Sequence, residues 1–90
     1  MSDEIEVTPK TKTDYLRDVA SQLKEMRHYA ENNTKTLSSQ YLAFEAGEYK
    51  DDEFAERINT LLNEQGKLME DIDGLIQDLE ISVNRSEQEG

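Results

Sequence analysis

Apolar residues recur at every seventh position through the first half of the chain, at Leu16, Leu23, Ala30, Leu37 and Phe44, and the recurrence stops at Gly47. Val19, Met26, Asn33 and Gln40 occupy the position three residues further on, so the spacing predicts an a/d helical seam over four heptads. A second seam follows at Ala55, Ile58, Leu62, Gln65, Met69, Ile72, Ile76, Leu79 and Val83, spaced alternately three and four. Between them, Gly47-Glu48-Tyr49-Lys50-Asp51-Asp52 combines a helix stop with acidic residues suited to capping a new helix. Two seams joined by a connection this short must lie antiparallel. The fold class is therefore all-α: an antiparallel hairpin with a helix over about 13–46, a turn at 47–51 and a helix over about 52–83.

The first helix starts near Thr11 or Thr13, either of which can cap it, with Asp14 placed favourably for the helix dipole. Its weak point is Glu31–Gln40, which is rich in poor helix formers. Two readings are open there: one long helix, or a break at Asn32–Thr34. The heptad phase is kept across the stretch, which favours one helix, since a loop would preserve the phase only by accident. Residues 1–10 read as a disordered acidic arm, and residues 86–90 as a frayed polar tail.

Charged residues make up 34% of the chain and the hydrophobic set another 34%, so the core must be narrow. The chain has no cysteine and one histidine, His28, which removes disulfides and thiolate metal sites and leaves no two-histidine motif. Catalytic triads and phosphate-cradling glycine loops are absent from the sequence, and a narrow hairpin offers no cleft for paired carboxylates. The expectation is a protein that is not an enzyme and carries no cofactor or metal. No apolar run approaches a membrane span, and no leader-like apolar segment is seen near the start, so a cytoplasmic chain without membrane contact is expected.

The charge is −11, which disfavours direct contact with nucleic acid. Most of it belongs to the second helix: Asp51–Arg85 holds ten acids against three bases, while Thr13–Ala46 holds five against four.

A two-helix hairpin buries little, and without disulfides or metal its usual supplement is association. Beside the second seam lies another apolar row, Phe54, Leu61, Leu68 and Leu75. Together with Leu62, Met69 and Ile76 these are the candidate interface residues, for a homodimer forming a four-helix bundle or for another helical protein. Asn33, Gln40 and Gln65 fall on the seams, and antiparallel pairing would set Asn33 near Gln65 as a shared polar layer. Gly66 and Gly74 lie inside the second helix, where Gly66 could mark a close helix approach. The stretch EAGEYKDDEFAERINTLL (Glu45–Leu62), a glycine turn, an acidic cap and a phenylalanine, resembles the turn-plus-helix pattern of short hairpin oligomerisation modules. Its rhythm is similar to that of the small helical subunit of exonuclease VII.

The first functional expectation is thus a small acidic adaptor, chaperone, assembly factor or accessory subunit, acting through self-association and an apolar helix face. The second is an inhibitor whose Glu64, Glu70, Asp71, Asp73, Asp78 and Glu80 stand in for nucleic-acid phosphates on a basic protein partner.

Overall fold

The structure is a computed structural model and describes residues 10–89. Residues 1–9 of the arm predicted over 1–10, and Gly90, lie outside the described residues; Lys10 lies within them and pairs with Asp18 of α1. Two helices make up the fold, α1 over Lys12–Glu45 and α2 over Asp52–Glu89, packed against each other along their length as an antiparallel hairpin.

α1 is unbroken through Asn32–Thr34. Thr11 caps it, its hydroxyl accepting from the Asp14 amide at 3.0 Å. Thr34, inside the weak stretch, donates its hydroxyl to the Ala30 carbonyl at 3.0 Å, so a polar group at the helix contact is satisfied locally. The preserved heptad phase therefore outweighs the poor propensity of the segment, because packing against α2 supplies what propensity lacks.

The turn departs from the predicted left-handed glycine cap. Gly47 does not take the positive-φ conformation; a Cβ there would instead sit 2.9 Å from the backbone Cα and O of Ala43. The glycine is required by close approach of the chain to the last turn of α1. The Asp51 amide then reaches back to the Phe44 carbonyl at 2.7 Å, and Lys50 bridges the Glu45 carbonyl at 3.2 Å and the Asp52 carboxylate at 2.8 Å. Asp51 caps α2, its carboxylate accepting from the Phe54 amide at 3.0 Å. One short segment thus closes the first helix and opens the second.

All nine predicted seam residues of α2 are buried or half-buried, with Ala55, Ile72, Ile76 and Val83 the most deeply placed. α1 is different. Leu16, Leu23, Ala30, Leu37 and Phe44 face inward as predicted, but the row that accompanies them is Ala20, Arg27, Thr34 and Tyr41, four residues after each rather than three. Of the row predicted instead, Val19 is half-buried, while Met26, Asn33 and Gln40 are exposed. The physical reason is size. α2 fills the interface with large aliphatic side chains, and α1 turns its small residues, Ala20 and Ala30, toward them so that the helices can approach.

The predicted Asn33–Gln65 polar layer therefore does not form, since Asn33 points to solvent. Gln65 remains on the seam with its side-chain Oε1 buried and unpartnered among the described residues. No close approach occurs at Gly66, where an added Cβ would meet nothing within 4 Å. α2 also continues past the predicted end near Val83 to Glu89, its last turns held by an ion pair between Glu87 and Arg17.

Candidate functional site

The seam between the helices has two edges, and they are chemically unlike. On one edge α2 presents Asp73, Glu80 and Glu87, again seven residues apart. Each meets a base of α1: Asp73 with Arg27 at 2.5 Å, Glu80 with Lys24 at 2.7 Å, and Glu87 with Arg17. The hydrogen bond to Asp73, and then that carboxylate's charge, raise the pKa of Arg27 further above its ordinary value. These pairs are solvent-exposed, so they fix alignment more than they add stability.

On the other edge α2 presents Phe54, Leu61, Leu68 and Leu75. These four are 43–48% exposed, well outside the range of the seam residues beside them. Since the ion pairs place the Arg17 and Lys24 side of α1 at the first edge, the opposite side of α1, carrying Val19 and Met26, borders this second edge. Met26 is 53% exposed. α1 thus adds Val19 and Met26 to the open face, while the next two positions of that row, Asn33 and Gln40, are exposed and polar, so the apolar part of the face belongs mostly to α2.

Near the turn the face deepens into an open groove of about 300 Å³ lined by Phe44, Phe54, Arg57, Ile58 and Leu61. The Phe44 and Phe54 rings meet at 5.6 Å between centroids, tilted by 43°, and the Arg57 guanidinium lies 5.9 Å from the Phe54 ring centre. The aromatic pair is half-covered by the hairpin and half-open to solvent, which is the setting of an interface anchor.

The seven predicted interface residues divide accordingly. Phe54, Leu61, Leu68 and Leu75 lie on the open face, Leu62 and Met69 are half-buried between the helices, and Ile76 is buried there. The six predicted acidic residues do not make one surface either. Asp73 and Glu80 are engaged at the ion-paired edge, and Asp71 pairs with Lys67 at 3.0 Å one turn away on its own helix. Heptad spacing sets Glu64, Asp71 and Asp78 along the outer rim of the apolar row, and Glu70 elsewhere. Val19 and Met26, expected on the seam of α1, border the open face instead. The ladder of Asp73, Glu80 and Glu87 was not foreseen from the sequence, although its seven-residue recurrence opposite Arg17 and Lys24 was a usable signal.

His28 is exposed, edge-on to Tyr29 at 6.0 Å and 3.4 Å from the Asn32 side-chain amide nitrogen. Among the described residues no group of three or more His, Cys, Asp or Glu side chains could hold a metal, and no helix is long and apolar enough to cross a membrane. No family model, curated protein or solved structure matches the chain.

Proposed function

We propose that this protein is a non-enzymatic interaction module that works by self-association through its open apolar face, serving as an adaptor, assembly factor or small accessory subunit. The observation that carries this reading is the asymmetry of the two seam edges. One edge is lined by ion pairs, while the other leaves Phe54, Leu61, Leu68 and Leu75 nearly half exposed in a continuous row. A soluble monomer rarely keeps a contiguous apolar stripe of this kind without an occupant. The interior of the hairpin points the same way, because no large side chain among the described residues is completely buried. A thin two-helix layer gains most by covering one side. A cytoplasmic setting suits a chain with no cysteine.

The phosphate-mimic reading has less behind it. Three of its six acids, Asp71, Asp73 and Glu80, are engaged in ion pairs within the chain. Mimicry of a phosphate backbone needs a coherent array of unpaired charge.

The test is the double substitution Leu61→Glu with Leu68→Glu. Neither residue belongs to the intramolecular seam, so the expected product is a chain with wild-type helical circular dichroism and the sedimentation behaviour of a monomer. A double variant that sediments like wild type would overturn the proposal.

A further inference from the structure

The open face also carries information on how a second copy would sit on it, and this inference rests on the self-association just proposed. Two arrangements satisfy two-fold symmetry when two hairpins stack face to face. In one, the axis runs across the helices, α1 lies on the partner's α1, α2 lies on the partner's α2, and the turns are at opposite ends. In the other, the axis runs along the helices, each α2 lies on the partner's α1, and the turns are at the same end.

We infer that the second copy binds in the latter way, with the turns together. Electrostatics separates the two arrangements. α2 carries eleven acids and three bases, whereas α1 carries five of each. Setting α2 beside the partner's α2 brings the two acidic helices into contact along their length, which opposes association. Setting α2 beside α1 puts the acidic helices on the diagonal, and each faces a neutral neighbour.

The chemistry of the rims separates them too. The rim of the apolar row on α2 is Arg57, Glu64, Asp71 and Asp78, one per heptad, basic at the turn end and acidic beyond it. The rim of the open face on α1 is Gln22, Tyr29 and Thr36, also one per heptad, each with a side-chain hydrogen-bond donor. An axis along the helices keeps every residue at its own height. The pairing heights are set by the hairpin itself, in which Arg27 meets Asp73. Tyr29 then comes level with the partner's Asp71, Gln22 with the partner's Asp78, and Thr36 with the partner's Glu64. Glu64 and Asp78 each face a donor, Asp71 keeps its ion pair with Lys67 beside Tyr29, and no carboxylate of the rim faces another. In the crossed arrangement centred on the apolar row, Glu64 instead meets the partner's Glu64, and only Asp71, level with the partner's Arg57, gains an opposite charge.

With the turns together, the open groove at Phe44 and Phe54 also faces the same aromatic pair of the partner, so four rings close one end of the bundle.

The absence of native cysteine makes the orientation directly measurable. Tyr49 lies in the turn and is 66% exposed, so Tyr49→Cys with a nitroxide label should leave the fold intact. Double electron–electron resonance on the labelled full chain is expected to give one separation of about 15–35 Å, set by neighbouring helices 8–10 Å apart plus the label arms. Asn84→Cys, exposed near the other end, should likewise give a short separation. A separation near the 60 Å length of the molecule would overturn the turns-together arrangement while leaving self-association in place. No dipolar modulation at either position would overturn self-association itself.

Discussion

Single residues hold the turn and mark where the packing is unfinished. Gly47→Ala would force a Cβ within 2.9 Å of the Ala43 backbone and should destabilise the hairpin by about 1–3 kcal/mol, in the range of other overpacking substitutions. Gly66→Ala and Gly74→Ala meet open space and should each stabilise by about 1 kcal/mol through helix propensity alone. Thermal melts of the three variants check the contrast, which separates a glycine needed for space from two that are not. The cap at Asp51 is a further case: Asp51→Ala removes the acceptor of the Phe54 amide and should cost about 1 kcal/mol. In the same turn, hydrogen bonding to Lys50, with that ammonium's charge second, lowers the Asp52 pKa from its ordinary value of 3.8. A lowered folded-state pKa contributes stability above the ordinary carboxylate value and loses it as the pH falls through the folded one. Acid titration of the wild type should thus show a small loss on that side which Asp52→Asn lacks. Gln65 is the residue least at home, with a buried oxygen and no partner among the described residues. Gln65→Leu should raise stability, by about 1–3 kcal/mol if the whole cost of the unmet acceptor is recovered.

At the scale of the helices, α2 was almost wholly legible in the sequence and α1 only half so. Every predicted seam position of α2 is inside, because its aliphatic residues keep an unbroken three-four spacing that admits one face. In α1 the seven-residue row was correct, but the companion row was not. Pattern reading chose the position with Val19 and Met26 over the position with Ala20 and Arg27, since hydrophobicity was its only guide. The helices instead meet through small residues and an arginine whose charge reaches an acid at the edge. Shape complementarity with a partner helix cannot be read from one helix alone. The end of α2 was missed for a related reason: residues 86–90 look like a tail by composition, yet Glu87 reaches Arg17 on α1. Substitutions separate the two faces of α2. Ile72→Ala, at a position only 4% exposed, should cost about 2–5 kcal/mol and unfold much of a hairpin this small, seen as lost helical circular dichroism. Leu75→Ala, on the open face, should leave the isolated hairpin's helicity intact and weaken association instead.

The whole molecule is a thin hairpin with one edge lined by ion pairs and the other left apolar along α2. The candidate face was legible in part, as the row Phe54, Leu61, Leu68 and Leu75, because four apolar residues at heptad spacing beside a complete seam exceed what one contact needs. What the sequence could not separate was which apolar residues the hairpin itself consumes, so Leu62, Met69 and Ile76 were counted with a surface they do not belong to. The same width of stripe is what makes self-association the central claim. The most direct measurement is absolute mass by light scattering across a dilution series of the unlabelled wild-type chain. The account predicts twice the 10.4 kDa of one chain at high concentration, falling toward the single-chain mass as the protein is diluted below its dissociation constant. A well-folded chain that keeps the single-chain mass at every concentration would contradict it.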